Sequence, residues 1–235
     1  MEKIVELKGI IKNYGQGDVL VQALRNLDLQ IRTGDFTAMA GPSGSGKSTL
    51  LNIIGGLDKP TEGEVRVEGQ LLNDLSRTKL SQLRRDRIGF IFQGYNLIPV
   101  LTALENAEYV LMLQGVPPGQ RREKVMGILQ EVGLDGLQNR FPRELSGGQQ
   151  QRVAIARAIA SEPALVLADE PTANVDSKTA AGLLDLMGML NEEKNTTFFF
   201  STHDQEVMKQ ARHLLLLHDG RIIFDGTPVD GLTEE

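Results

Sequence analysis

The chain has 235 residues, 40% of them hydrophobic and 24% charged, which is enough for one large α/β domain with a smaller inserted lobe and too apolar for a disordered segment. A formal net charge of −6 argues against a dedicated nucleic-acid binder, which needs a basic face for phosphate contacts. Cysteine is absent, excluding disulfides and thiolate metal sites; no run of about 18 apolar residues and no signal-peptide core behind Met1-Glu2-Lys3-Ile4 is present, so the expectation is a chain that does not insert into a membrane and reaches one only through a partner.

In chain order, residues 1–35 alternate apolar and polar positions, with Ile4, Leu7 and Ile10 followed by Leu27, Leu29 and Ile31, and Gly15-Gln16-Gly17-Asp18 interrupts them as a turn. The pattern predicts a small antiparallel β lobe. From Phe36 the character changes to short buried strands alternating with helices. Phe36–Ala40 reads as a strand and Thr49-Leu50-Leu51-Asn52-Ile53-Ile54 as part of a helix. Between them Gly41-Pro42-Ser43-Gly44-Ser45-Gly46-Lys47-Ser48 fills every position of G-x-x-x-x-G-K-[ST]. Strand, glycine turn and helix in that order make a cradle for a nucleoside triphosphate: backbone N–H groups from Gly41 through Thr49 converge on phosphate oxygens, and the helix N-terminus adds partial positive charge. Lys47 would reach the β- and γ-phosphates, and the Ser48 hydroxyl would hold Mg²⁺.

Three later strands end on polar residues that chemistry could use. Arg87-Ile88-Gly89-Phe90-Ile91-Phe92 runs to Gln93, Ala164-Leu165-Val166-Leu167-Ala168 to Asp169, and Thr197-Phe198-Phe199-Phe200-Ser201 to His203. Their unbroken apolar character suits central parallel strands covered on both faces, with the Phe198-Phe199-Phe200 run in the core. Ligands of open α/β sheets bind beyond the carboxyl ends of the strands, so these termini should surround the phosphate loop. Asp169 and Glu170 should emerge together and point to opposite sides, Asp169 serving Mg²⁺ through coordinated water and Glu170 orienting the water that attacks the γ-phosphate.

Between residues 95 and 143 the pattern is helical. Segments 101–107 and 121–132, separated by Gly115-Val116-Pro117-Pro118-Gly119, predict an inserted lobe. Arg84-Arg85-Asp86-Arg87 reads as a solvated face. Leu145-Ser146-Gly147-Gly148-Gln149 opens another helix with Ser146 as its cap, a second anion site by geometry that equally suits a plain cap and flexible joint. A last strand, Ile222-Ile223-Phe224, precedes a polar, acidic end, and His213 and His218 lack a chemical setting.

The order of phosphate loop, Gln93, Ser146-Gly147-Gly148-Gln149, Asp169-Glu170, Asn174-Val175-Asp176 and His203 resembles the nucleotide-binding subunits of ABC transporters over essentially the whole chain. The resemblance implies a P-loop NTPase fold of class α/β. Residues 1–94 and 144–235 would form the antiparallel β lobe and a RecA-like core with a mixed central sheet, and residues 95–143 an α-helical subdomain. It also implies ATP and Mg²⁺ as ligands, with Ser48, Gln93 and Asp169 around the metal. Two subunits would face head to tail, each bound nucleotide completed by the Ser-Gly-Gly helix of the other. Carried over by position, Tyr14 would stack on adenine, although its setting also suits an ordinary strand aromatic. Gln93 would sense the nucleotide while facing a membrane partner. Ser146 and Gly148, flanked by Gly147 and Gln149, would contact the opposing γ-phosphate, Asp176 would bridge the dimer, and His203 would touch the γ-phosphate as a switch.

Ile88-Gly89-Phe90-Ile91-Phe92-Gln93, Asn96-Leu97-Ile98-Pro99 and Leu101-Thr102-Ala103-Leu104-Glu105-Asn106 are similar to the lipoprotein-releasing and macrolide-efflux type. Val175 departs from the commoner leucine and Ser201 from the usual valine. The expectation is an ATPase on the cytoplasmic face of the inner membrane, driving a separate transmembrane permease in export or extraction of lipoprotein, lipid, peptide or drug. A regulatory ATPase acting on a cell-division membrane protein would carry the same motifs. A chromosome or repair ATPase would carry a coiled coil, and no heptad run is present.

Overall fold

In the computed structural model, which describes residues 2–16 and 19–231, Lys3–Gln16 (β1) and Val19–Arg32 (β2) pair antiparallel along their length. Gly17 and Asp18 of the expected turn lie outside the described residues. Leu7 and Ile10 are three apart and would face opposite sides of a regular strand, yet both are buried. A register shift between them sets Lys8 and Gly9, the latter at φ 60°, against Asp28 alone, and so inserts the extra residue that returns Ile10 to the core face. The lobe extends beyond residues 1–35: Glu62–Val67 (β4) and Gln70–Leu71 (β5) complete a sheet of order β2-β1-β4-β5. Val65 and Val67 alternate with exposed or half-buried neighbours, so β4 suits a one-sided sheet.

The second sheet has the order β10-β9-β3-β8-β7-β6. Phe36–Ala40 (β3), Ile88–Ile91 (β6), Leu165–Ala168 (β7), Thr197–Thr202 (β8) and His213–His218 (β9) run parallel, and Arg221–Gly226 (β10) pairs antiparallel with β9. Alternate residues feed two cores. Phe36, Ala38, Phe198, Phe200 and Val166 pack toward the helices from residues 103 to 190. Met39, Phe199, Leu165 and Leu167 pack toward the phosphate-loop helix Lys47–Ile54 (α1) and the antiparallel sheet. This two-sided burial is why the strands read as unbroken apolar runs. The strand Ile88–Ile91 is an edge strand, which corrects its central placement; helix Gly147–Ile159 (α5) covers it so closely that a Cβ on Gly89 would sit 2.4 Å from the Ala158 carbonyl oxygen.

Arg77–Arg87 (α2) ends in the basic run, where Arg85 pairs with Asp86 and Arg87 with Glu68, the solvated-face reading. Between residues 95 and 143 the structure contains Ala103–Leu113 (α3), Pro118–Glu131 (α4) and a single 3-10 turn. Thr102 and Glu105 form a reciprocal cap on α3. Pro118 starts α4 rather than breaking it, because the first turn of a helix does not use that N–H. Ser177–Lys194 (α6), Gln205–Gln210 (α7) and Pro228–Gly231 (α8) complete the helices.

Candidate functional site

Strand β3 is held between β8 and β9, so the chain leaves Ala40 at a fixed point and must turn at once into α1. Gly41 makes that turn at φ 153° with no room for a side chain: a Cβ there would lie 2.0 Å from the Leu217 carbonyl oxygen. Gly46, at φ 108°, is the N-cap of α1, and a Cβ would meet the Ala23 carbonyl oxygen at 2.6 Å. A glycine cap has no side chain to occupy the first-turn N–H groups, which remain available to an anion. The helix starts at Lys47, two residues earlier than the apolar pattern indicates. The Lys47 ammonium is buried and donates to the carbonyls of Gly41 at 2.7 Å and Pro42 at 3.1 Å. Two of its three N–H groups fix it inside the loop's curl. The Ser45 hydroxyl is buried with no partner among the described residues, and Ser45, like Gly41 and Pro42, does not line the cleft that the rest of the loop borders.

The strand ends come level with this loop. Ala168 pairs with Ile91 on one side and Phe200 on the other, and the Asp169 amide donates to the Ile91 carbonyl at 2.9 Å. Gln93, Asp169, Glu170 and His203 therefore line one cleft of about 630 Å³ with Tyr14, Ser43, Gly44, Gly46, Lys47, Ser48 and Thr49. Asp169 and Glu170 face the same cleft, which corrects the expectation of opposite sides. Glu170 adopts the left-handed conformation, φ 48°, and this breaks the strand's alternation. Its Oε2 lies 2.8 Å from His203 Nδ1.

Ser201 accounts for that conformation. Its side chain is wholly buried; the hydroxyl donates to Asp169 Oδ1 at 2.6 Å and accepts from the Glu170 amide at 2.9 Å. One hydroxyl thus fixes the first carboxylate and the backbone of the second. Ser201→Ala would leave a half-buried N–H without its partner and is expected to lower stability by about 1–3 kcal/mol. Thermal denaturation checks this, and an unchanged melting temperature would count against the bridge. Ala23 also lines the cleft, and a small apolar residue gives no sequence signal.

Tyr14 stands at the outer rim, 42% exposed, with its ring on the cleft. Its hydroxyl donates to Asp58 Oδ2 at 2.7 Å. Burial, and then the neighbouring Asp58 carboxylate, holds the phenol above its ordinary pKa.

Ser146, Gly147, Gly148, Gln149 and Asp176 do not line this cleft. Ser146 caps α5 and Gln149 returns the bond, its Oε1 accepting from the Ser146 amide at 2.9 Å. Asp176 caps α6, accepting from the Thr179 amide at 3.1 Å and the Thr179 hydroxyl at 2.7 Å. The two helix starts adjoin: a Cβ on Gly148 would sit 2.4 Å from Thr179 Cγ2. They form a second surface patch, joined to the cleft where the Asn174 side-chain amide donates to the Gln93 carbonyl at 2.7 Å.

Residues 24–173 match the sequence pattern of the family described as ABC transporter. The uncharacterized ABC transporter ATP-binding protein MJ0796 of Methanocaldococcus jannaschii is 48% identical over 225 residues, 93% of this chain and 95% of that protein. The macrolide export ATP-binding/permease protein MacB of Escherichia coli is 43% identical over 234 residues, which is 100% of this chain and 36% of MacB. Among solved structures, a dimeric post-hydrolysis state of the MJ0796 cassette bound to ADP and Pi superposes with a TM-score of 0.89 at 46% identity, covering 95% of this chain and 98% of that one. With its phosphate loop, strand-end carboxylates and paired helix starts in place, the chain belongs to the ABC transporter family as an ATP-binding cassette.

Proposed function

We propose that this chain is the ATPase subunit of a membrane transporter, and that two copies close head to tail around two nucleotides to drive a separate permease. The observation that carries the reading is the division of the site. The cleft holds a cradle and carboxylates that none of Ser146, Gly147 and Gly148 lines, while the helix start that carries those three, with Ser146 capping the Gln149 amide, lies on another surface. Each half lacks what the other offers. A second copy, turned head to tail, brings them together.

Mg²⁺ fits the cleft. Asp169 and Glu170 are two carboxylates beside a cradle shaped for a polyphosphate, and a divalent cation offsets the repulsion between them. Ser48 and Asp169 would hold it, with Gln93 at the rim; bound there, it would neutralise charge developing on the phosphate oxygens. The chain's own residues do the rest. The first-turn amides of α1 and Lys47 grip the phosphates. Glu170 Oε2 orients a water and takes its proton, and His203, bonded to that carboxylate, fixes its direction. Closure is favoured because ATP binds the closed pair better than the open one, and a ligand shifts an equilibrium only by that difference.

Residues 95–143 serve as the helical subdomain of a single ABC ATPase domain. Where they meet the core, Phe90, Phe92, Tyr109 and Leu113 line an apolar groove of about 360 Å³ rimmed by Arg84 and Arg157, a fitting seat for a permease segment. Among the described residues no helix is long and apolar enough to cross a membrane. The cytoplasmic face of the inner membrane, where ATP is present, is where the subunit would work. Its likeness to macrolide export proteins favours transport over a regulatory role in cell division. Reconstituting the chain in vesicles with the membrane protein that copurifies with it tests this: ATP-dependent cargo movement is expected. ATP turnover with no cargo moved would favour the regulatory reading.

A further inference from the structure

Beside Tyr14, the rim of the cleft carries a half-buried ion pair, Lys12 with Asp58, that the reaction does not use. Lys12 and Tyr14 are two apart on β1 and so share a face of the strand. The Lys12 ammonium is 4.7 Å from the centroid of the Tyr14 ring, and it is nearly buried, at 9% exposure. It donates to Asp58 Oδ1 at 2.7 Å and to the Lys59 carbonyl at 2.7 Å. The Tyr14 hydroxyl takes the other oxygen of the same carboxylate. One carboxylate therefore holds the ring by its hydroxyl and, through Lys12, by its face.

Asp58 is itself tied to the phosphate-loop helix. The amides of Leu57 and Asp58 both donate to the Asn52 carbonyl of α1, at 2.8 Å and 3.1 Å. The same loop returns to β1, where the Thr61 amide donates to the Ile11 carbonyl at 2.8 Å and the Thr61 hydroxyl accepts from the Asn13 amide at 3.0 Å. Burial acts to raise the Asp58 pKa, but hydrogen bonds from Lys12 and Tyr14 outweigh it and hold the carboxyl below its ordinary range, so the clamp is charged at neutral pH.

We infer that Asp58 and Lys12 are positioning residues for the nucleotide base: they fix the Tyr14 ring at a set place relative to α1, with the ammonium against the ring and the remaining surface left for stacking. The inference rests on the reading of Tyr14 as the base platform. It makes the span from ring to phosphate loop a property of the folded chain, so the site is pre-organised for a purine nucleotide rather than assembled around one.

The test compares ATP with tripolyphosphate, which fills the phosphate loop and has no base, by calorimetry on the full chain. Asp58→Ala combined with Lys12→Met removes both charges together and leaves neither unpaired. This double variant is expected to weaken ATP binding roughly 5- to 20-fold, within the range that base stacking supplies. Tripolyphosphate affinity and kcat at saturating ATP should stay within about twofold, since the phosphate contacts are untouched. Adding Tyr14→Ala should cost nothing further beyond Tyr14→Ala alone, because the clamp acts only through that ring. Tyr14→Phe, at an exposed position, isolates the bond to Asp58 and should weaken ATP about 2- to 5-fold with tripolyphosphate unchanged.

Equal losses for both ligands would mean that Asp58 and Lys12 merely support the loop, and would overturn the inference. So would unchanged ATP affinity in the double variant while Tyr14→Ala loses affinity, or losses that add in the triple variant. If Tyr14→Ala itself binds ATP normally, the platform reading fails and takes the inference with it.

Discussion

Glu170→Gln is expected to lower ATP turnover by roughly 10²- to 10⁴-fold, the usual worth of a positioned base, while ATP still binds. The geometry sets the direction. An amide cannot accept the proton of the attacking water, yet it is nearly the same size, and its oxygen can still accept from His203. The cradle is unaltered, because Glu170 contacts neither Lys47 nor the first turn of α1 among the hydrogen bonds of the described residues. With binding intact and cleavage blocked, the closed pair has no route to reopen, so the variant should accumulate as an ATP-bound dimer. Phosphate release and sedimentation with MgATP measure both outcomes. A variant that stays monomeric with ATP and turns over normally would remove Glu170 from the role of base.

Lys47→Ala is expected to have its large effect on binding instead. A charge-assisted hydrogen bond contributes about 1.5–3 kcal/mol, so the loss of this ammonium should weaken ATP roughly 10- to 100-fold. The same substitution frees the carbonyls of Gly41 and Pro42, which now converge on the ammonium and would otherwise point negative ends into an anion site. Both effects act against phosphate. Calorimetry with ATP reads them together, and unchanged affinity would show that Lys47 serves only to brace its own loop.

Much of this site was legible because its parts are contiguous in sequence. Gly41 to Ser48 needs no tertiary information, and the polar residues after β6, β7 and β8 converge because parallel strands end at one edge. Gln93, Asp169 and His203 follow from that rule alone. What the sequence hid depends on contacts between distant segments. Ser201 meets Asp169 and Glu170 across 32 and 31 positions, and only that bridge reveals the left-handed turn that swings both carboxylates into one cleft. Asp58 reaches Lys12 and Tyr14 across 46 and 44 positions, and a Gly-Leu-Asp-Lys loop gives no hint of it. The edge position of β6 was hidden for another reason. A strand covered by α5 is as apolar as a central one, so composition reports burial and not order. Likewise β4 pairs with β1 because the chain returns past α1 to the lobe it started from, a fact of topology rather than of residue pattern.

Sedimentation of a Glu170→Gln, Ser146→Arg double variant with MgATP addresses the divided site most directly. Ser146 lies outside its own protomer's cleft, so a bulky cation there should leave that cleft's ATP affinity intact. Composite sites predict monomers that bind ATP normally, beside Glu170→Gln controls that dimerise. Dimers forming as readily as in the controls would contradict a nucleotide shared between two chains.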